Sequence, residues 1–119
     1  MNWTVELQDD FIEEFESFTE EVQDSIVEKS NLLKRFGTQL GRPAVDTLKG
    51  SDFSNMKELR FNVGQEIWRV AFAFDPDRKA ILLVGANKRG KNQKRFYKHL
   101  IRIADNRYLE HLINLKNIK

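Results

Sequence analysis

The sequence contains no cysteine, only two histidines and two prolines, and no apolar run long enough to span a membrane. Without cysteine there is neither a disulfide nor a thiolate metal site. His99 and His111 are too few for a histidine-rich metal centre. The opening MNWTVELQDD carries acids where a secretory leader needs bases followed by an apolar stretch. The expectation is therefore a cytoplasmic protein with no metal, no cofactor and no membrane partner. Several chemistries are missing as well: there is no glycine-rich phosphate loop, no HExxH and no evident Ser-His-acid set.

What is present suits one folded unit. At 119 residues, with 40% hydrophobic and 32% charged residues, the chain is long enough for one core drawn from nine Phe plus Ile, Leu and Val. A single domain over residues 1–119 is expected, with no repeat, linker or low-complexity tract. The net charge of +2 conceals a polarity. Residues 1–30 hold ten acids and only Lys29, whereas the stretch from Lys88 to Arg102 holds seven Lys or Arg and no acid. Such a basic cluster is the footprint of a polyanion site or of an acidic protein partner, although a solvated helix face has the same composition.

Taken in order, Asn2 to Leu7 alternates Trp3, Val5 and Leu7 with polar residues, the period of a half-buried strand. From Asp9 the period becomes helical through Phe11, Phe15, Phe18, Val22, Ile26 and Leu33. Asp9 or Asp10 is placed to cap that helix, Thr19 to cap a second, and Gly37 to end it, giving a hairpin with an acidic outer surface. Residues 38–55 show no period and read as a long loop from which Arg42 and Lys49 could reach a ligand. Three strands follow at MKELRF (56–61), IWRVAFAF (67–74) and KAILLVGANKRG (79–90). From about Asn92 the helical period returns, as one helix or as two broken near Arg102 or Asp105.

The strands carry the chemistry. Met56, Glu58 and Arg60 share one side of the first, and Lys57, Leu59 and Phe61 the other. In the second, Arg69 stands among Ile67, Ala71 and Ala73, a long cation on a face of otherwise uncharged residues. If the faces coincide, Arg60, Arg69 and the Lys88 end converge. Metal-free RNA cleavage suits such a cationic group, because attack of the 2′-hydroxyl on the adjacent phosphate requires proton transfer, charge stabilisation and alignment.

The strings GRPAVDTLKGS, NMKELRF, WRVAFAFDPDRKAILLVGANKRG and RFYKHLIRIADNRYLEHL resemble the phage-derived, HigB-like toxins of the RelE/ParE superfamily. The likeness covers roughly residues 3–115. It implies an α+β fold with an N-terminal strand, a two-helix hairpin, a curved and mostly antiparallel sheet, and one or more C-terminal helices. It also implies the toxin of a type II toxin–antitoxin pair, an endoribonuclease that cleaves messenger RNA at the ribosome. A helix-turn-helix antitoxin would neutralise it, and operator DNA would be met only through that antitoxin.

Carried onto this chain, the resemblance makes Arg60, Arg69, Lys88 and Tyr97 the candidate catalytic residues. Lys57, Arg89, Lys91, Lys94 and Arg95 are the candidate RNA-binding residues. Tyr97 also fits an apolar helical row, so core packing accounts for it equally well. No histidine lies in the strand region, which leaves proton transfer open among Lys88, Tyr97, Glu58 and ribosomal RNA. Two other readings share the fold: a non-enzymatic inhibitor of DNA gyrase, like ParE relatives, and an inactive module that only binds nucleic acid or antitoxin.

Overall fold

The computed structural model describes residues 2–117; Met1, Ile118 and Lys119, which belong to the expected unit of residues 1–119, lie outside the described residues. The elements run β1 (Thr4–Leu7), α1 (Asp9–Ser17), α2 (Glu20–Phe36), β2 (Val45–Thr47), β3 (Met56–Val63), β4 (Glu66–Phe74), β5 (Lys79–Asn87) and α3 (Gln93–Asn117). The strands form one five-stranded sheet in the order β1-β5-β4-β3-β2. β1 joins β5 in parallel and every other pair is antiparallel, as expected of hairpins joined by Gly64 and by Asp75-Pro76-Asp77. The expected α+β arrangement is present.

The hairpin helices start and stop where local hydrogen bonding dictates. Thr19 caps α2 as expected, its Oγ1 accepting from the Val22 N–H at 3.3 Å. At α1 the cap is Gln8 rather than Asp9 or Asp10: its Oε1 accepts from the N–H groups of Asp10 and Phe11 at 3.0 and 3.2 Å. That frees both aspartates for the first turn, where the helix dipole favours them. Gly37 ends α2 at φ +56°, and a Cβ there would lie 1.8 Å from the Trp3 indole Nε1, so only glycine fits beneath that ring.

Two expectations of the C-terminal part change. Residues 38–55 are not one loop but contain a 3-10 turn at Gly37–Gln39 and the edge strand β2, too short for its period to show. The rest of the segment is pinned to α3: Ser51 Oγ and the Asp52 N–H donate to the Asp105 carboxylate at 2.5 and 2.9 Å. Asp105 is therefore a tether and not a helix break. Phe96, Leu100, Ala104 and Tyr108, four residues apart, keep one face of an unbroken α3 buried.

The sheet separates two cores. Phe11, Val22, Ile26 and Leu33 of the hairpin pack on Leu59, Phe61, Trp68, Val70, Phe72 and Leu82. On the other side α3 packs on Met56, Ala71, Ala73, Ile81, Leu83 and Val84. Each large apolar side chain so buried contributes about 1.5–3 kcal/mol. The consecutive Leu83 and Val84 share a core because of a bulge: Ala71 pairs with Val84 but Phe72 pairs with Leu82, leaving Leu83 extra. Arg107 of α3 donates from Nη1 to the Leu83 carbonyl at 2.8 Å and holds Glu14 of α1 with both terminal nitrogens. That one guanidinium ties both helix layers to the bulge.

Candidate functional site

The cationic residues of the strands meet on the α3 side of the sheet. Arg60 and Arg69 are direct partners across β3 and β4, and Ala86 of β5 stands beside Arg69. Alternation along β3 puts Glu58 on the same face two residues from Arg60. Arg60 Nη1 donates to Glu58 Oε2 at 3.1 Å, and Arg69 Nε lies 3.7 Å from Glu58 Oε1. Tyr97, from the first turns of α3, closes the group by donating its hydroxyl hydrogen to Glu58 Oε1 at 2.9 Å and accepting from Arg69 Nε at 3.3 Å.

Burial sorts these groups into two layers. Glu58 is 3% exposed and Arg69 6%, and Arg69 Nη1 donates inward to the Trp68 carbonyl at 2.9 Å. Arg60 is more open, with its side chain 27% exposed and Asp46 Oδ2 of β2 at 3.7 Å. Lys88 follows β5 directly; its backbone N–H donates to the Ile67 carbonyl at 2.7 Å, and its ammonium lies 5.6 Å from the centre of the Tyr97 ring. Desolvation lowers the Lys88 pKa, with the positive charges of Arg69 and then Arg60 adding to the effect. Burial raises the Tyr97 pKa and keeps its hydroxyl protonated at neutral pH, with opposing contributions from Arg69 and Glu58.

This arrangement has definite chemical abilities. Arg60 and Lys88 are the less buried cations of the cluster, and the Tyr97 hydroxyl offers a hydrogen that a bound oxyanion could take from Glu58. Arg69 is committed to the layer beneath, where its charge balances that of Glu58. Tyr97 serves both alternatives read from the sequence, since its ring packs edge-on against Phe96, with centroids 5.3 Å apart, while its hydroxyl reaches the cluster. Among the described residues no group of three His, Asp or Glu side chains is placed to hold a metal ion.

The expected RNA-binding residues do not form one patch. Lys57 lies on the opposite face of the sheet, paired with Phe72 and Thr47 in the ladder; strand alternation excludes it from the Arg60 side. Arg89 points to the β3–β4 turn and donates to Gln65 Oε1. Helix α3 divides the remainder. Lys94 shares a groove with Tyr97, Lys98 and Arg102, whereas Lys91 and Arg95 line a separate depression with Glu14 and His99. Arg42 lies 3.5 Å from Asp46. The central position of Glu58 is the main feature absent from the expected site, where it figured only as one possible proton carrier. The sequence signal for it is an acid and a base two apart in one strand, opposite a second base.

A family of phage-derived proteins, described as Phage derived protein Gp49-like, matches residues 13–109. The chain belongs to this family. Two Mycobacterium tuberculosis relatives agree with that membership. One, named "Putative toxin HigB3", is 52% identical over 83 residues, 70% of each chain. The other, "Putative toxin HigB2", is 43% identical over 89 residues, which are 74% of this chain and 44% of that longer relative. Among solved structures, a double arginine-to-alanine variant of the Escherichia coli toxin RelE in the free state superposes with a TM-score of 0.56 at 9% identity, covering 85% of this chain and 95% of that one. At such low identity the likeness is one of fold. The resemblance to HigB-like proteins, read first from the sequence, is borne out by these relatives, and the RelE-like fold it implied by the superposition.

Proposed function

We propose that this Gp49-like protein is the toxin of a type II toxin–antitoxin pair and arrests translation by cutting messenger RNA on the ribosome in the cytoplasm. The observation carrying this reading is the convergence of Arg60, Lys88 and Tyr97 on the buried Glu58–Arg69 pair: two half-buried cations and one protonated hydroxyl gather on one face of the sheet, a set of groups suited to a phosphate. In the proposed reaction the 2′-oxygen bonds to phosphorus as the 5′-oxygen leaves. A minor amine fraction of Lys88, favoured by the lowering of its pKa, takes the 2′-hydroxyl proton. Arg60 holds the developing phosphorane charge, and Tyr97 donates to the departing oxygen. The products are a 2′,3′-cyclic phosphate and a new 5′-hydroxyl end. Arg69 acts from beneath by positioning Glu58 and Tyr97.

Family membership implies a cognate antitoxin, which we take to be a small helix-turn-helix protein that alone contacts operator DNA. The names of the M. tuberculosis relatives support the toxin reading.

Translation of a defined message with purified ribosomes tests the reaction. The parent protein is expected to leave 5′-hydroxyl fragments, and Arg60→Ala or Tyr97→Phe to slow cleavage by about 10²-fold. An intact message at high toxin concentration would reject the nuclease. The burial of Arg69 favours one second reading, binding without cleavage. Inhibition of gyrase supercoiling by a protein that spares RNA would establish that reading instead.

A further inference from the structure

Beside the cluster, a groove of about 880 Å³ runs between α3 and the loop at Lys49, Gly50 and Asp52. It begins at the proposed site: Tyr97 belongs to both, and Gln93 at its mouth lies 3.5 Å from Lys88 Nζ. Its floor is the half-buried Tyr97 and Ile101. Gly50 adds no side chain to fill it, and at φ +98° the backbone there disfavours any other residue.

The rim has a regular charge pattern. Lys94, Lys98 and Arg102 are exposed and four residues apart on α3, which sets them about 6 Å from one another along the axis, close to the span of one nucleotide in an extended strand. Lys49 faces them from the loop. Two acids, Asp52 and Asp105, lie along the groove, and the Asp105 carboxylate is occupied by Ser51 Oγ and the Asp52 N–H. Arg102 is held by a 2.9 Å contact with the His99 ring. The cations are thus spaced along one wall, and Asp105 marks where attraction for phosphate ends.

From these features we propose that the groove is a subsite for two to three nucleotides of single-stranded RNA flanking the scissile phosphate, with Lys94, Lys98 and Lys49 on the phosphates and bases resting on Tyr97 and Ile101. The proposal rests on the nuclease reading for its direction, since the strand enters from the Lys88 end. An apolar floor with a cationic rim is how proteins hold unpaired strands without reading sequence. A helix-rich acidic partner would also be attracted by the charge. The even spacing of the rim and the floor of half-buried Tyr97 and Ile101 favour a strand.

The test is binding of RNA oligomers made uncleavable by a 2′-O-methyl group at every position, from two to six nucleotides long. Affinity for the full-length parent protein is expected to climb with length to about five nucleotides and then level off. In the double variant Lys94→Gln/Lys98→Gln the climb should disappear, about a tenfold loss for the longest oligomer, while the dinucleotide binds as before. The salt dependence should flatten by about 1.4, that is about 0.7 for each lost phosphate contact. Lys34→Gln, on the far hairpin, serves as the control for charge alone. Equal length dependence in parent and double variant, or an equal loss in Lys34→Gln, would overturn the subsite. So would unchanged RNA binding with lost binding of an acidic antitoxin, which would assign the groove to protein. Messages left intact by a parent that still shows the length effect would refute cleavage and spare the groove; cleavage with no length effect would do the reverse.

Discussion

Arg60 and Arg69 stand directly opposite each other across β3 and β4, two cations in one cross-strand pair, with the Glu58 carboxylate bridging them. Like charges so placed repel. The fold tolerates them because one buried acid serves both and Tyr97 supplies a further hydrogen bond to it.

Glu58→Gln is therefore expected to be severely destabilising despite its unchanged shape. It removes the acid paired with a nearly buried Arg69, and stranding one member of a buried pair costs about 3–5 kcal/mol. Urea denaturation would show it. The combined replacement Glu58→Leu/Arg69→Met should recover most of the loss, since an apolar pair needs no counter-charge. A double variant as unstable as the sum of its parts would refute the idea that the pair is coupled.

The two tyrosines should both ionise above the usual phenol range. Burial is the leading cause for Tyr97 and for Tyr108, whose hydroxyl donates to the Phe74 carbonyl at 3.1 Å. A folded-state pKa raised above the unfolded value gives stability that is complete below the unfolded value and is lost as pH rises through the folded one. Alkaline titration followed by phenolate absorbance should show little ionisation at the ordinary tyrosine pKa. Tyr97→Phe should remove part of the alkaline loss of stability. A parent titration at the ordinary value would show that the phenols are solvated.

How far the sequence revealed this molecule follows from the range of the forces involved. Period-2 alternation exposed β3 and β4 and put Arg60 beside Glu58 on one face of the first and Arg69 among alanines on one face of the second, because side-chain direction within a strand depends only on counting; that the two faces coincide is a matter of register between strands. Thr19 and Gly37 were visible because caps act within a few residues. What escaped depends on distant partners. β2 exists because β3 lends it hydrogen bonds, the Leu83 bulge shows only in the β4–β5 register, and the split of the basic cluster depends on how α3 rolls on the sheet. Lys57 was counted toward RNA for its charge, although the same counting puts it behind the sheet. Glu58 looked like an ordinary acid until Tyr97, 39 residues away, was seen to close over it.

Arg107→Ala should loosen the contact between the two helix layers. The residue holds Glu14 through paired hydrogen bonds and satisfies the Leu83 carbonyl left over by the bulge. Losing the charged bonds to Glu14 and exposing that carbonyl should lower stability by about 2–3 kcal/mol. Hydrogen exchange should speed up around Leu83 and in α1 before it does in β3. Uniform acceleration over the whole sheet would mean that the clamp is not local.

Lys88 gives a prediction whose sign runs against its expected importance. Desolvation, Arg69 and Arg60 all disfavour its ammonium in the folded protein, so the folded-state pKa lies below the unfolded one. Below the folded value the charge is present in both states and costs more in the folded one; above the unfolded value neither state carries it and the cost is gone. Lys88→Met, which keeps an unbranched side chain without the charge, should therefore be slightly more stable than the parent at neutral pH. The gain should be under about 1 kcal/mol because water still screens the group, and it should shrink as pH rises through the alkaline range. If Lys88 takes the 2′-hydroxyl proton, the same variant should also lose cleavage, making stability and activity move in opposite directions. Thermal melts across pH check the first half and message cleavage the second. A variant less stable than the parent at neutral pH would show that the ammonium is held favourably and would remove it as the proton acceptor.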